Sequence, residues 1–143
     1  MEETQRQQFR QRLVGDANCP LFIFASMDFE GKGLLTVLRS LALLEDRKAR
    51  LLVLGDGPVA RFRRIAHRLG IAEQVVFLGR RSDIQRFYSA GDLFVLPTAY
   101  EPFPNVNLEA MACGLPVLTT RTAGGVDIVE ENVNGYLLSL IHI

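Results

Sequence analysis

The sequence has little cysteine, no tryptophan and no excess of either charge. Cys19 and Cys113 are its two cysteines, too few for the disulfide framework of a small secreted protein. The 16 Lys and Arg residues balance 16 Asp and Glu residues, and the pI is near 6.7. Such a chain lacks the basic footprint that binds a phosphate backbone. These absences exclude a disulfide-rich scaffold and argue against nucleic acid as a partner.

Long hydrophobic runs are also absent. The longest, residues 34–44, is interrupted by a threonine, an arginine and a serine, and it is shorter than the roughly 20 residues that cross a bilayer. The N-terminus begins with acidic and amide side chains, whereas a signal peptide has a basic segment followed by an apolar one. We therefore expect a cytoplasmic protein without a membrane span.

What the sequence does contain is a regular alternation of short apolar runs and helical patterns. At 143 residues and 48% hydrophobic content, the chain can build one core without a structural metal. The alternation predicts a doubly wound α/β fold, a Rossmann-like parallel sheet in three α/β/α layers. The predicted strands are 21–25, 51–54, 74–78, 93–96, 116–119 and an edge strand at 135–138. The predicted helices are 34–44, 59–69, 84–90 and 105–113, the third opened by a capping box at 82–85.

The domain is predicted to occupy residues 21–143. Residues 1–20 are predicted to be a linker or a helix that leads into the first strand. No helical pattern follows the last strand, so we expect the domain to be truncated at its C-terminus.

Ligands of such sheets bind beyond the carboxyl ends of the strands. Three segments are expected to converge there, namely Gly31–Lys32–Gly33, Arg80–Arg81 and the loop from Glu101 to Asn105. The sequence Gly55–Asp56–Gly57 lacks the third glycine of a dinucleotide fingerprint and is interpreted as a turn. No histidine stands at metal-ligand spacing from a cysteine or carboxylate, so a zinc site is not expected.

The helix at 105–113 carries the most informative residues. It is apolar nearly all round, which predicts that Glu109 is buried with it. A buried carboxylate needs donors, and sugar or ribose hydroxyls would supply them. Glu101 precedes the same helix, and the amides of Asn105 and Val106 lie at its positive end, where a phosphate can bind. The alternative is structural: Glu109 pairs with an arginine and Glu101 only favours the helix start.

The segment EPFPNVNLEAMACGLPV resembles the paired-glutamate motif of the family 4 retaining glycosyltransferases, with seven residues between Glu101 and Glu109. The resemblance continues through LLVLGDGP, VVFLGRRSDI, GDLFVLPTAYEPFPN and AGGVDIVEENVNGYL. It implies the C-terminal, donor-binding half of a GT-B fold, with the N-terminal acceptor domain missing. DFEGKGL and YEPFPN most resemble the variants found in lipopolysaccharide-core and envelope-glycan glucosyltransferases.

The resemblance implies a role for individual residues. Glu101 is expected to contact the donor sugar, Glu109 to hold the ribose, and Lys32 to neutralise the diphosphate. The family's arginine five residues before that lysine is replaced by Met27, and Asp127 stands where glutamate is usual. The implied catalytic residues are Glu101 and Lys32. The implied donor-binding residues are Glu109, Asn105, Val106, Phe103, Pro104, Gly31, Gly79, Arg80 and Arg81, with Arg81 either stacked on the base or simply solvated.

The implied activity is retaining transfer of a hexose from UDP-glucose or a similar nucleotide sugar to an envelope-glycan or lipopolysaccharide acceptor. The nucleotide sugar is a substrate, so no cofactor is expected, and no metal. Two alternatives remain open, a non-catalytic nucleotide-binding module and a sugar-nucleotide epimerase of the same fold. The arginines of the second helix could touch the inner membrane face, although such a charge run is usually a solvated face.

Overall fold

The fold was obtained as a computed structural model that describes residues 1–98, 105–121 and 128–138. The described strands are β1 (Leu21–Ser26), β2 (Arg50–Gly55), β3 (Val75–Gly79), β4 (Leu93–Leu96), β5 (Val117–Thr120) and β6 (Gly135–Leu138). The described helices are α1 (Glu3–Val14), α2 (Leu34–Leu43), α3 (Val59–Arg68), α4 (Ile84–Ala90) and α5 (Asn105–Ala112). Every predicted strand is present within one or two residues of its predicted bounds.

The six strands form one parallel sheet in the order β3-β2-β1-β4-β5-β6. The predicted doubly wound α/β fold is thereby confirmed, with β6 at an edge. The order reverses between β1 and β4, which lie side by side although β2 and β3 separate them in sequence. Such a reversal leaves a crevice at the carboxyl ends of the two central strands.

Burial explains why these segments form these elements. The apolar runs of β1 and β2 are covered on both faces, as parallel strands require. The helix α2 buries one side through Leu34, Val37, Leu38 and Leu41. The helix α3 buries Phe62 and Ala66 and exposes its arginines. The sheet therefore carries the core, and each of these helices contributes one apolar stripe to it.

The predicted capping box before α4 is wrong. The residue preceding the helix is Asp83, and no side chain makes a cap hydrogen bond there. The backbone of Asp83, at φ −101° and ψ 36°, departs from the extended conformation in which an N-cap side chain reaches the helix amides. Instead, the Asp83 carboxylate lies 3.6 Å from the Arg86 guanidinium one turn along the helix.

The helix α1 docks on the sheet through a buried arginine. Arg10 is 2% exposed, and its guanidinium donates to the carbonyl oxygens of Ala17 at 2.9 Å, Ala90 at 2.6 Å and Cys19. It also lies 3.1 Å from a carboxylate oxygen of Asp92. The charge of Arg10 is thus matched and four of its five N–H donors are used, which is the condition for burying a guanidinium.

Asp92 joins this helix to two strands. Its carboxylate accepts the Leu21 amide at 2.8 Å and hydrogen bonds from Arg10 and Arg6. Partial burial works to raise the pKa of Asp92, but the Leu21 amide and the Arg10 and Arg6 guanidinium groups outweigh it, so the pKa lies below its usual value. Asp92 therefore stabilises the fold in its charged form.

We expect that stabilisation to be lost in acid. Because the pKa of Asp92 is lower in the folded state, its contribution is complete above the unfolded value of about 4 and disappears as the pH falls through the folded value. The free energy of unfolding, measured by urea titration from about pH 6 down to pH 2, should fall less steeply in Asp92→Asn than in the wild type. Glu45→Gln, which removes an exposed carboxylate, is the control. If the free energy of unfolding falls equally steeply with pH in the wild type and in Asp92→Asn, the expectation is contradicted.

Candidate functional site

A cavity of about 210 Å³ lies at the carboxyl ends of β1 and β4, where the strand order reverses. Its described lining residues are Ala25, Ser26, Met27, Lys32, Leu96, Asn105 and Val106. They come from the end of β1, the loop after it, the end of β4 and the first turn of α5. The structure therefore brings together Lys32, Asn105 and Val106, three of the residues that the sequence singled out.

The loop between β1 and α2, residues 27–33, is anchored by Phe29. This side chain is 1% exposed and packs edge-on against Phe24 at 6.0 Å and Phe62 at 5.8 Å between ring centroids. The Asp28 carboxylate accepts the Gly31 amide at 3.0 Å, and the Asp28 carbonyl accepts the Lys32 amide at 3.0 Å. The backbone that carries Lys32 is thus held by the core on one side and by its own turn on the other.

Glycine at position 33 is required by both conformation and space. Gly33 precedes α2 with φ +88°, a left-handed conformation that side chains disfavour. A Cβ atom there would overlap the carbonyl oxygen of Pro97, at the end of β4. In the same region Thr98 donates to the Gly31 carbonyl at 3.4 Å. The loop after β1 and the chain leaving β4 are therefore in close contact beside the cavity.

Gly33→Ala is expected to lower the free energy of unfolding by about 2 kcal/mol or more, since left-handed strain and the collision with Pro97 add together. Gly15→Ala separates the two causes, because Gly15 also has a positive φ of 74° but open space around its Cβ position. The Gly15→Ala variant should lose only about 1 kcal/mol of its free energy of unfolding. Urea unfolding of both variants measures the difference, and equal losses would show that the contact with Pro97 is unimportant.

The helix α5 opens at the cavity. Asn105 and Val106 begin the helix and line the cavity wall. The first amides of a helix have no intrahelical acceptor and carry the positive end of its dipole. Together with the Lys32 ammonium group, they form a wall suited to an anion such as a diphosphate.

The predicted burial of Glu109 is wrong. The helix α5 buries Asn107 and Ala110 on one side, whereas Leu108 and Glu109 are exposed. The sequence is apolar around the whole helix, but only one side of α5 contacts the sheet, so the other faces outward. Burial, and after it the Glu109 and Cys113 groups, raise the pKa of Tyr88 in α4. Among the described residues, Glu109 does not line the cavity.

The segment after β3 lies apart from the cavity. Gly79 ends β3 with φ +73°, and Arg80 and Arg81 are exposed. The Arg81 guanidinium carbon lies 5.4 Å from the centroid of the Phe87 ring in α4. β3 is two strands away from β1. Residues 79–81 were expected to meet Lys32 at the cavity, but they are not among its described lining residues. Contact of Arg81 with a nucleobase stays a prediction.

Several predicted residues lie outside the described part of the chain. These are Glu101, Phe103 and Pro104, together with Asp127. Met27, at the position where an arginine was expected from the resemblance, is 58% exposed and lines the cavity. It brings no charge, so Lys32 is the cationic side chain of the described lining.

Close packing around Gly55 supports the interpretation of residues 55–57 as a structural turn. Gly55 has φ +108°, and a Cβ atom there would overlap the Ser26 carbonyl oxygen at the end of β1. The Asp56 amide donates to that same oxygen at 3.2 Å. The glycine thus allows β2 to approach the end of β1 closely.

Sequence reasoning missed one unusual residue, Asn107. It is fully buried, and neither Nδ2 nor Oδ1 of its side chain has a hydrogen-bond partner among the described residues. It occupies the third position of α5, directly after the two residues that line the cavity. The sequence offered one indication of this residue, because Asn107 is a polar residue between the apolar residues Val106 and Leu108 of the helix.

Within residues 1–98, 105–121 and 128–138, the helices fall short of the length and apolar character needed to cross a membrane. The same ranges hold no cluster of three His, Cys, Asp or Glu side chains arranged to bind a metal ion. Metal independence stays a prediction.

Comparison with known proteins identifies the family of this domain. Residues 19–140 match the family described as glycosyl transferases group 1. The chain belongs to this family. The match spans all six strands, and structural neighbours of the domain are GT-B glycosyltransferases.

Three relatives illustrate the similarity. The lipopolysaccharide core biosynthesis glycosyltransferase LpsE of Rhizobium meliloti is 32% identical over 92% of this chain and 38% of its own length. The crystal structure of WaaG, a glycosyltransferase involved in lipopolysaccharide biosynthesis, superposes with a TM-score of 0.88, with 28% identity over 98% of this chain and 39% of that one. Anabaena HepE in complex with UDP and glucose gives a TM-score of 0.89, with 32% identity over 97% of this chain and 39% of that one. The chain thus spans somewhat over a third of the length of these relatives.

Proposed function

We propose that this chain is the nucleotide-sugar-binding part of a retaining, family 4 glycosyltransferase. The donor is UDP-glucose or a similar nucleotide sugar, and the hexose passes to a lipopolysaccharide or another envelope glycan. The observation that carries the proposal is the cavity at the β1/β4 reversal, where Lys32 and the first residues of α5 line one wall. The similarity to HepE, whose complexes contain UDP and UDP-glucose, supports this choice of donor.

The chemistry of that wall suits a leaving diphosphate. As the bond between the anomeric carbon and the diphosphate oxygen breaks, its electron pair stays on the diphosphate. Lys32 and the α5 amides stabilise the growing charge from fixed positions, which favours the transition state over the bound donor. The acceptor hydroxyl bonds to the same face of the anomeric carbon and gives its proton to the departing phosphate oxygen.

Groups outside the described lining of the cavity also take part in the proposed reaction. Glu101 orients the donor sugar, and Glu109, which is exposed in the chain alone, closes on the ribose once a donor is present. The acceptor is held by a separate N-terminal domain. Reaction takes place in the cytoplasm, where the exposed arginines of α3 can face the inner membrane surface. No cofactor or metal ion takes part.

A nucleotide panel tests the donor pocket on the chain as it stands. UDP, GDP, ADP and their glucose conjugates are each added during thermal unfolding. A ligand at 100 times its dissociation constant stabilises the folded state by about 2.7 kcal/mol, which raises the melting temperature by several degrees. We expect the uridine compounds to give this increase in the wild type and a smaller one in Glu109→Ala.

The matched control is Glu45→Ala, which removes an exposed carboxylate from the connection between α2 and β2, at the opposite edge of the sheet. It should respond to UDP like the wild type. If folded wild-type chain responds to none of the six compounds, the proposed donor pocket is wrong. If guanosine or adenosine compounds give the increase instead, the pocket stands and the proposed base is wrong.

A further inference from the structure

A second cavity, of about 420 Å³, lies at the opposite edge of the sheet. Its lining includes Arg50, the first residue of β2, and Gln74, the residue before β3. These are the amino ends of two strands, whereas Lys32 lies at the carboxyl ends. A strand of six residues separates the two edges by about 20 Å. The second cavity is therefore separate from the proposed donor site.

Two arginines beside this cavity are held in place by backbone carbonyls. A single Arg50 nitrogen, Nη1, donates to the carbonyl oxygens of Arg47, Lys48 and Ala49 at 2.9 to 3.2 Å. Arg47 donates from Nη2 to the Gly70 carbonyl at 2.6 Å. In the hydrogen bonds of the described residues, the remaining donors of both guanidinium groups are unused, and neither group pairs with a carboxylate. Two positive charges, each anchored by backbone carbonyls, therefore border the cavity.

The rest of the lining offers hydrogen-bond acceptors. Gln74 is 4% exposed and donates from Nε2 to the Ala49 carbonyl at 3.1 Å, while its Oε1 is closed off from solvent and has no partner among the described residues. Glu73 contributes one exposed carboxylate, and His67 contributes an imidazole. With two guanidinium groups against one carboxylate, the lining keeps a net positive charge. It combines anion-binding donors with acceptors for hydroxyl hydrogens.

We propose that this cavity binds a phosphate ester carried on a hydroxylated group, such as a hexose phosphate or a polyol phosphate headgroup. The guanidinium groups of Arg47 and Arg50 hold the phosphate, since their forked donors match its oxygens. Glu73 accepts hydrogen bonds from the neighbouring hydroxyls. The site is independent of the donor cavity and of the activity proposed for it.

Titration of the 143-residue chain with glucose 6-phosphate tests the site, with binding followed by calorimetry. Vesicles of phosphatidylglycerol, with phosphatidylcholine vesicles as the neutral comparison, present the same chemistry on a lipid. We expect saturable binding to at least one of the two phosphate esters. Binding to the free sugar phosphate identifies a soluble ligand, and binding confined to phosphatidylglycerol identifies a headgroup.

The double variant Arg47→Gln/Arg50→Gln should weaken that binding at least tenfold. Its matched control is Arg12→Gln/Arg39→Gln, which removes the same charge from exposed helix positions outside the cavity and should change binding less than twofold. Because Arg50 also supports three carbonyls, Arg47→Gln alone is measured as well, with circular dichroism to verify folding. Glu73→Gln should weaken the binding of glucose 6-phosphate more than the binding of inorganic phosphate.

Three results would overturn the proposal. The first is the absence of saturable binding to both phosphate esters by folded wild-type chain. The second is an equal loss in the cavity variant and in its control, which would mean nonspecific attraction. The third is inorganic phosphate binding as tightly as glucose 6-phosphate, which would remove the role of the hydroxyl acceptors.

Discussion

Lys32→Ala is expected to weaken UDP binding by about 10- to 100-fold, because one charge-assisted contact to a phosphate contributes about 1.5–3 kcal/mol. The side chain lines the cavity at the β1/β4 reversal and faces the same space as the first residues of α5. The α5 amides remain in the variant, so residual binding should persist. Calorimetric titration of UDP into both proteins measures the ratio of dissociation constants.

The chain supplies its own control for this experiment. It contains two lysines, and Lys48 is exposed in the connection that enters β2, at the other edge of the sheet. Lys48→Ala removes the same charge and should leave UDP affinity within about twofold. If the two variants lose affinity equally, the attraction is a general effect of charge and Lys32 does not contact the diphosphate.

Arg10→Ala is expected to lower the free energy of unfolding by about 3–5 kcal/mol, since each buried acceptor left without a donor costs about 1–3 kcal/mol. The guanidinium donates hydrogen bonds to three backbone carbonyls and to the Asp92 carboxylate. No smaller side chain reaches these groups, and α1 loses its principal polar attachment to the sheet. The loss corresponds to a fall of roughly 10 °C in melting temperature.

Arg12→Ala is the comparison for Arg10→Ala. Arg12 lies on the same helix but is exposed, with its guanidinium carbon 5.8 Å from the Phe9 ring centroid. Its removal should cost about 1 kcal/mol or less. Urea unfolding followed by circular dichroism measures both. Similar losses in the two variants would show that α1 is held by its apolar contacts and that the buried guanidinium adds little.

The sheet could be predicted from the sequence because its signal is local. Strands such as β1 and β2 are continuous apolar runs ended by glycine or polar residues, and each run is recognisable without knowledge of its neighbours. The position of the candidate site followed from the same pattern, since the carboxyl ends of parallel strands share one edge. Lys32, Asn105 and Val106 were found in this way.

Other features depend on contacts that the sequence does not display. Arg10 stands in a polar stretch without apolar periodicity, and the carboxylate that it meets lies 82 residues further along the chain. The exposure of Glu109 depends on which side of α5 faces the sheet, and an evenly apolar helix does not reveal that side. Phe29 likewise appears as an isolated aromatic residue until Phe24 and Phe62 are brought beside it.

The adjacency of β1 and β4 also bears on the folding kinetics. The Leu21 amide and the Asp92 carboxylate that join these strands at their amino ends are 71 residues apart in sequence, so their meeting closes a long loop and carries a large entropic penalty. The candidate donor cavity lies between the other ends of the same strands. A chain in which only β1, β2 and β3 have paired therefore contains Lys32 but does not yet have the cavity. Because nucleotide can bind only after β4 has joined β1, it should lower the rate of unfolding and leave the rate of the earliest folding steps unchanged.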